Sequence, residues 1–263
     1  MLVSLLISTY NWKEALSLCL YSVFSQTVKP AEILIADDGS RDDTRQLIEE
    51  MRAKTDISIV HVWHEDKGFR LSAIRNRSIA QAKGDYIIQI DGDIILDKNF
   101  ISDHLELAEK GYFVCGSRVL LGRMYTARLL RGLESHPATL KQDYRFMLNG
   151  FRSHILRHYL ANRYAKHSML SIRGCNMAFW KNDLMRVNGY NETLEMWGQE
   201  DVEISYRLIH AGVQKKQLKM GGVQFHLYHK FASRENLEYH EQVLHRVIEN
   251  KTVWCENGIV KDK

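Results

Sequence analysis

Residues 86–96 read YIIQIDGDIIL, an apolar run interrupted by two aspartates on either side of one glycine. The part before Asp91 has the continuous apolar character of a strand that is covered on both faces of a sheet. Asp91 and Asp93 then follow the carboxyl end of that strand. Carboxylates at such a position can hold a divalent cation or a ribose, because they supply hard oxygen donors and Gly92 lets a ligand approach the backbone. Turn chemistry alone could also place Asp and Gly together here.

The first hundred residues alternate short β-branched runs with helical patterns. The predicted strands lie at residues 3–8, 32–40, 57–62 and 86–90, and the predicted helices at residues 13–26, 41–54 and 71–83. Ser40 is expected to cap the second helix. This alternation indicates βαβ units and a mostly parallel sheet.

Polar residues follow three of the four predicted strands. They are residues 9–11 (TYN), 37–39 (DDG) and 91–93 (DGD). Ligands of parallel α/β sheets bind beyond the carboxyl ends of the strands, so all three clusters are expected at one edge of one sheet. Each cluster taken alone is explicable as a turn, but the three together predict a site for a nucleotide.

Beyond residue 97 the pattern is looser. Strands are expected near residues 112–117 and 222–229, and helical stretches near residues 144–164, 199–211 and 234–249. With two prolines and no repeat, the chain is expected to form one domain over residues 1–263. We divide it into residues 1–97, residues 98–230 and a helical tail (231–263).

Composition limits the class of protein. Of the 263 residues, 45% are apolar and 26% charged, which is ordinary for a folded soluble chain. The N-terminus lacks the basic region and cleavage site of a signal peptide, so a cytoplasmic location is the default expectation. The four cysteines contain no C-x-x-C pair, which favours reduced, buried thiols.

Positive charge is concentrated in residues 123–167. This segment carries nine Lys and Arg against two acidic residues, a balance of +7 in a chain of net charge +4. Interleaved aromatic and aliphatic residues would suit a peripheral contact with anionic lipid at the inner face of a membrane. A solvated helical insertion is an equally good interpretation. Nucleic acid is not expected as a partner, because no recognition motif accompanies the charge.

Several motifs together carry a family resemblance. They are ISTYNW (7–12), SVFSQT (22–27), EILIADDGSRDDT (32–44), GFRLSAIRN (68–76) and AKGDYIIQIDGDI (82–94). In this order they resemble the N-terminal half of the family 2 glycosyltransferases. Residues 174–208, with WGQED inside them, resemble the acceptor segment of the galactosyltransferase-type C-terminal region, usually G-W-G-x-E-D. The resemblance implies an α/β GT-A fold, a Rossmann-like, mostly parallel sheet flanked by helices, here with a helical basic insertion. It further implies that residues 1–97 form a nucleotide-binding half and residues 98–230 an acceptor-binding half.

The resemblance also implies roles for individual residues. The nucleotide-sugar would be bound by Thr9, Tyr10, Asn11, Asp38, Gly68, Arg70, Arg75, Asp91 and Gly92. Mn²⁺ or Mg²⁺ would be held by Asp93 and by His226 or His229, the choice of histidine being left open. Trp197 and Glu200 would bind the acceptor, and Asp201 would be the general base.

The chemistry of sugar transfer agrees with these roles. A nucleoside diphosphate leaves as an anion, which a bound cation neutralises, and the acceptor hydroxyl must lose its proton to a base. Direct displacement would invert the anomeric centre. Glu200 and Asp201 also begin a predicted helix, where the dipole favours acidic residues and would lower the pKa of a base.

The expected substrates are a UDP-sugar, favoured by the resemblance only, and a glycan or lipid-linked glycan. The expected setting is synthesis of cell-surface polysaccharide or lipopolysaccharide. One alternative is a catalytically silent protein that binds a nucleotide-sugar or a glycan. Another is a nucleotidyltransferase, although TYNW stands after the first strand where a Gly-rich basic loop would be needed.

Overall fold

The four apolar runs of the first hundred residues form neighbouring parallel strands, as predicted. In the computed structural model, which describes residues 1–134, 144–165, 168–230 and 236–261, they are β1 (Val3–Thr9), β2 (Glu32–Asp37), β3 (Ser58–Trp63) and β4 (Tyr86–Asp91). Helices α1 (Lys13–Phe24), α2 (Asp42–Arg52) and α3 (Leu71–Gln81) connect them. Every residue of β1 is buried, which explains its continuous apolar character.

The main sheet has seven strands in the order β3-β2-β1-β4-β8-β6-β9. The later strands are β6 (Tyr112–Cys115), β8 (Asn176–Trp180) and β9 (Gln214–Gln217). Strand β8 runs antiparallel to both of its neighbours, and the other pairs are parallel. The mostly parallel α/β sheet is therefore confirmed.

A second sheet of three short strands continues from the aspartate motif. Its order is β5 (Ile94–Leu96), β10 (Gln224–His226), β7 (Val119–Leu120). Strand β10 pairs antiparallel with β5, and His226 lies opposite Ile94 in this register. The pairing brings a histidine from the far end of the chain beside Asp93.

The remaining helices follow β4 in the chain, and several of them contribute to the apolar layers on both faces of the main sheet. They are α4 (Phe100–Leu107), α5 (Arg123–Leu130), α6 (His154–Ala161), α7 (Lys181–Arg186), α8 (Glu200–His210) and α9 (Leu237–Glu249), with 3₁₀ turns at Met147–Gly150 and Met169–Ser171. None of the helices in the described ranges has the length and apolar character that crossing a bilayer requires.

Alternate residues of β1 contribute to different apolar layers. Leu5 and Ile7 pack in the layer that contains α1, whereas Leu6 packs in the layer that contains α3 and α8. The four cysteines are buried and free, as predicted.

One detail of the prediction was wrong. Ser40 does not cap α2, because its hydroxyl accepts the Asn11 N–H at 2.8 Å and Arg41 takes the position before the first turn. The helical stretches predicted near residues 144–164 are a 3₁₀ turn and α6 in the described residues. Strand β8 was not predicted, since its short run NMAFW is also compatible with a buried helical segment. Residues 135–143, 166–167 and 231–235, within the basic segment and the predicted tail, lie outside the described residues.

Candidate active site

The three predicted polar clusters meet at one edge of the main sheet. Asp38 N–H donates to Thr9 O at 3.0 Å, and Gly92 N–H donates to Ser8 O at 2.7 Å. These bonds connect the ends of β2 and β4 to the end of β1, which lies between them. The carboxyl ends of three strands thus form the floor of a single polar site.

Asp93, His226 and His229 form a cluster with the geometry of a metal site. His226 Nε2 lies 3.6 Å from Asp93 Oδ1, and His229 Nε2 lies 3.4 Å from Asp93 Oδ2. One ligand atom from each residue falls within 4.8 Å of the other two. The cluster stands between the two sheets, because Asp93 precedes β5 and His226 ends β10.

The donor atoms of this cluster fit a divalent cation. Asp93 Oδ1 is buried and has no hydrogen-bond partner within the described part of the chain. The Nδ1 atoms of His226 and His229 lie 3.0 and 2.7 Å from the carbonyl oxygens of Leu227 and Lys230. A proton on each Nδ1 would leave both Nε2 lone pairs directed at Asp93, the arrangement that orients metal-binding imidazoles. Burial lowers the pKa of His226, which favours the neutral form that binds metals.

Arg75 lies in the floor of the site and joins two of its carboxylates. Nη1 donates to Asp201 Oδ1 at 3.0 Å, and Nη2 lies 3.4 Å from Asp91 Oδ1. Nε donates to Ser8 Oγ at 3.2 Å, which connects the guanidinium to β1. Burial alone would lower the pKa of Arg75, but the surrounding acidic groups, led by Asp201, hold it above its ordinary value. The guanidinium is fully buried and therefore contacts these carboxylates from the interior of the protein.

Glu200 and Asp201 begin α8, as predicted, but their acidity differs from the expectation. Burial raises the pKa of Asp201 against the opposing effect of Arg75. Burial, together with the neighbouring Asp201, raises the pKa of Glu200 to about 8. Desolvation therefore outweighs the helix dipole, which would lower both values. The Asp201 side chain remains 17% exposed, so it is accessible from the cleft.

Residues outside the predicted set hold Asp201 in place. A Cβ atom at Gly174 would lie 1.8 Å from Asp201 Oδ2, so only glycine leaves room for this carboxylate. Tyr190 Oη lies 3.5 Å from Asp201 Oδ1 and donates to Gln89 Oε1 at 2.9 Å. Gln89 in turn donates to Gly174 O at 2.8 Å, which closes a ring of contacts around Asp201.

Trp197, which was predicted to bind the acceptor, lies in the loop before α8, and its side chain is exposed. His240 from α9 is buried against this loop. Its Nε2 lies 2.8 Å from Glu195 O, and Gln199 N–H donates to its Nδ1 at 3.4 Å. A Cβ at Gly198 would collide with the His240 ring. This positioning role could not be predicted, since His240 belongs to no local sequence motif.

The residues predicted to bind the nucleotide lie around Asp38. His64 Nε2 lies 2.6 Å from Asp38 Oδ1, and the Arg70 N–H donates to Asp38 Oδ2 at 2.9 Å. Tyr10 is exposed, and its hydroxyl donates to Asp66 Oδ2 at 2.9 Å.

Two further residues predicted to bind the nucleotide lie in the loops around Asp38. Asn11 adopts φ +47 and accepts the Arg41 N–H through Oδ1 at 2.9 Å, so it connects the loops after β1 and β2. Gly68, at φ +86, lies in the exposed loop before α3. A left-handed backbone at this position favours glycine.

Arg118 is a functional candidate that the sequence analysis missed. Its guanidinium is partly buried, and its hydrogen-bond acceptor in the described residues is the weakly accepting Sγ of Cys175, at 3.5 Å from Nη1. Burial opposes its charge, but Cys175, Asp91 and Asp93 raise the pKa of Arg118. A cation near two site carboxylates, with one poor acceptor, is available to an anionic ligand. Its sequence context, GSRVL, contains no recognised motif.

Comparison with known proteins identifies the class that this fold and site define. The GT-A fold is shared with a Pyrobaculum calidifontis mannosyltransferase, PcManGT, solved with GDP-Man and Mn²⁺, at a TM-score of 0.60 and 16% identity over 95% of this chain and 61% of that chain. It is shared also with S. aureus TarS 1-349 in complex with UDP-GlcNAc, at a TM-score of 0.63 and 16% identity over 95% of this chain and 66% of that chain.

The family follows from the sequence comparison. Residues 4–187 match glycosyl transferase family 2, and the chain belongs to this family. Residues 154–230 match a second family described as the N-terminal domain of galactosyltransferase. The chain is 24% identical to the chondroitin synthase of Escherichia coli over 246 residues, which is 85% of this chain and 34% of that protein. It therefore spans about a third of the length of this relative.

Proposed function

We propose that the chain transfers a sugar from a nucleotide-sugar to a hydroxyl of a glycan, with inversion at the anomeric carbon. The observation that carries the proposal is that a candidate metal cluster and a carboxylate lie at the same edge of the main sheet. Asp93 with His226 and His229 stands at one end, and Asp201 stands at the other, connected through Arg75 and Asp91. A leaving diphosphate and an attacking hydroxyl need these two kinds of group on opposite sides of the sugar.

Asp201 is proposed to accept the proton of the attacking hydroxyl. It is the accessible carboxylate at the start of α8, and its raised pKa makes it a stronger base than an ordinary aspartate. Arg75 holds Oδ1 by hydrogen bonding, and Gly174 leaves room for Oδ2. The carboxylate is therefore oriented before the acceptor arrives, which reduces the entropy lost in reaching the transition state. Attack from this side displaces the nucleotide directly and gives inversion.

Asp93, His226 and His229 would hold the divalent cation, which supplies charge neutralisation for the leaving diphosphate when bound. A set with two imidazoles favours a transition metal such as Mn²⁺ over Mg²⁺, which prefers oxygen ligands. PcManGT was solved with Mn²⁺, which supports the same choice of metal. Both histidines are included in the proposed ligand set, because both Nε2 atoms approach the same carboxylate.

The nucleotide is proposed to lie over the ends of β1 and β2. Asp38 lies on this side. Gly92, beside Asp91, would allow the ligand to approach the backbone closely. The other residues proposed to bind the nucleotide here are Thr9, Tyr10, Asn11, Gly68 and Arg70. Uracil is proposed as the base, and the complex of TarS 1-349 with UDP-GlcNAc supports it. The complex of PcManGT with GDP-Man shows that this fold also occurs with guanine nucleotides. Arg118 is proposed to contact the diphosphate, since its guanidinium lies in the field of Asp91 and Asp93.

The acceptor is proposed to be a growing glycan, bound between Trp197 and Glu200 on the side of residues 98–230. The E. coli relative is a chondroitin synthase, which supports a role in polysaccharide synthesis. Glu200, with a pKa raised to about 8, is largely protonated at neutral pH. A neutral carboxyl can both donate to and accept from a sugar hydroxyl, which suits it to binding rather than proton abstraction.

A thermal-shift panel of UDP, GDP, dTDP and CMP, each with and without Mn²⁺, tests the donor side. We expect UDP to raise the melting temperature in the presence of Mn²⁺, and Asp93→Asn to abolish the metal-dependent part of that shift. Stabilisation by one of the other nucleotides instead would show that the donor carries its base rather than uracil. Stabilisation by UDP to the same extent with and without Mn²⁺ would overturn the proposed metal site. A silent binder would give the shift without turning over any sugar nucleotide.

A further inference from the structure

Helix α6 buries an arginine and exposes large apolar side chains, which is unusual for a surface helix. Arg157, in the middle of the helix, is 0% exposed, whereas Ile155 is 80% exposed and Tyr159, one turn later, is exposed as well. A helix on the surface of a soluble domain normally directs its apolar stripe at the core. The apolar stripe of α6 faces away from the protein.

Ion pairs beneath the helix fix this orientation. Arg157 Nη2 lies 2.6 Å from Glu106 Oε2, and Arg157 Nη1 lies 2.9 Å from Asp103 Oδ1. The same guanidinium donates to Met220 O at 3.2 Å. Asp103 and Arg157 are both fully buried, so turning the helix over would leave buried charges without partners. The outward position of Ile155 is thus a consequence of strong contacts on the other face.

The exposed apolar surface continues into the segment before α6. We use the name outward face for Leu148, Phe151, Ile155, Leu156 and Tyr159, all of which are exposed, Leu148 by 75%. Eleven of the 23 large apolar side chains that are exposed in the described residues lie between residues 124 and 170. Exposed apolar residues that are scattered singly need no explanation, but their concentration in one stretch of the chain makes this stretch a candidate binding surface.

Positive charge surrounds the outward face. Residues 144–165 contain four arginines and no acidic residue. Arg152 and Arg157 are neutralised by Asp103 and Glu106, but the other two lie over exposed aromatic rings. The Arg163 guanidinium is 4.5 Å from the Tyr159 ring centre, and that of Arg145 is 5.7 Å from the Phe146 ring centre. Apolar side chains flanked by cations and aromatic rings match the headgroup region of an anionic bilayer.

We propose that the outward face inserts into the headgroup region of an anionic phospholipid membrane. The face adjoins the part of the site that contains Arg118, because Asn149, beside Leu148, donates through Nδ2 to Arg118 O at 2.8 Å. Membrane contact would therefore place the cleft near glycans that are anchored to lipid. This last step rests on the proposed function, whereas lipid binding itself does not.

The test is co-sedimentation of the full chain with vesicles of phosphatidylglycerol and phosphatidylcholine, and with vesicles of phosphatidylcholine alone. We expect binding to the anionic vesicles that weakens with added salt. Replacing Leu148 and Ile155 together by serine should lower the partition coefficient by roughly tenfold or more, since two inserting side chains are lost. The matched control is Ile209→Ser, which removes an exposed isoleucine from α8 and should leave partitioning unchanged.

Three outcomes would overturn the proposal. The first is a wild-type chain that fails to bind anionic vesicles, and the second is an equal loss of binding in the Ile209→Ser control. The third is a lipid-free dimer in light scattering that the double variant converts to a monomer, because the outward face would then bind a second copy of the chain. Nucleotide stabilisation in the double variant separates this test from that of the proposed function. It should equal that of the wild type, since neither serine touches the nucleotide side.

Discussion

Arg75 Nη1 lies 3.0 Å from Asp201 Oδ1, so the proposed base is hydrogen-bonded to a fully buried cation. The same guanidinium reaches Asp91 at 3.4 Å and Glu200 at 3.7 Å. One side chain of α3 therefore sets the spacing between the end of β4 and the start of α8. Arg75 was predicted to contact the nucleotide, and its burial makes a positioning role the better proposal.

Replacing Arg75 by methionine should destabilise the protein by about 3–5 kcal/mol at neutral pH, because buried carboxylates lose their counterion. The loss should be smaller in mild acid, where these carboxylates can be protonated. Urea denaturation at the two pH values measures both effects. Arg77→Met provides the control, since Arg77 is exposed on the same helix. Equal losses in the two variants would contradict the role of Arg75.

Replacing Gly174 by alanine should reduce kcat by about 100-fold while nucleotide affinity is unchanged, because the new Cβ displaces the Asp201 carboxylate from its oriented position. Steady-state kinetics and nucleotide titration separate the two quantities. Gly111→Ala is the comparison variant. Gly111 has no atoms near the added Cβ but, unlike Gly174, has a left-handed φ, so its substitution adds backbone strain without a collision. A fully active Gly174→Ala protein would show that the position of Asp201 does not limit the reaction.

Replacing Arg118 by methionine should weaken binding of UDP by roughly tenfold or more, the amount expected for a lost hydrogen bond to a charged group. Binding of uridine, which lacks phosphates, should be unaffected. Calorimetric titration with each ligand gives the comparison, with Arg77→Met again as the control. Equal weakening for UDP and uridine would mean that Arg118 shapes the site without contacting the diphosphate.

Glu200 should make folding stability depend on pH. Its pKa is raised to about 8 in the folded chain by burial and by Asp201, so the folded state binds a proton that the unfolded state releases near pH 4.5. Its contribution to stability is complete below that unfolded value and is lost as the pH rises towards 8. The slope from one such group is at most about 1.4 kcal/mol per pH unit. The charged groups that act on Glu200 also contribute to the dependence of stability on pH; they are Asp91, Asp201 and Arg75.

Denaturation curves between pH 5 and pH 8 measure this effect in the wild type and in Glu200→Gln. The glutamine cannot ionise, so its stability should vary less over this range. A wild-type curve with no steeper decline than the variant would contradict the raised pKa.

The nucleotide half was predictable because its signals are local. Strands β1 to β4 are continuous apolar runs, and the rule that ligands bind at strand ends located Asp38, Asp91 and Asp93 together. The acceptor half could not be derived in this way. Strand β8 is a five-residue run that reverses direction between two parallel strands, and β5, β7 and β10 have two or three residues each.

The contacts around Asp201 depend on tertiary structure. The WGQED loop is contacted from three separate parts of the chain, by Gly174, Tyr190 and His240. The spacing of apolar residues contains no information about such tertiary contacts. Burial also reversed the pKa direction expected from the start of α8, because desolvation depends on the folded environment. The burial of Arg157 and the exposure of apolar side chains on α6 could not be predicted for a related reason. The pattern HILRHYLA does not reveal that the partners of Arg157 are carboxylates on α4.

The most direct test of the proposed function is the rate of nucleoside diphosphate release from a saturating sugar nucleotide, with an oligosaccharide acceptor, in the wild type and in Asp201→Asn. The asparagine preserves size and hydrogen bonding but cannot accept the hydroxyl proton at neutral pH. We expect the rate to fall by roughly a hundredfold or more, as the loss of a general base predicts, with Mn²⁺-dependent nucleotide binding retained. An Asp201→Asn protein that turns over at the wild-type rate would contradict the assignment of Asp201 as the base of a glycosyl transfer.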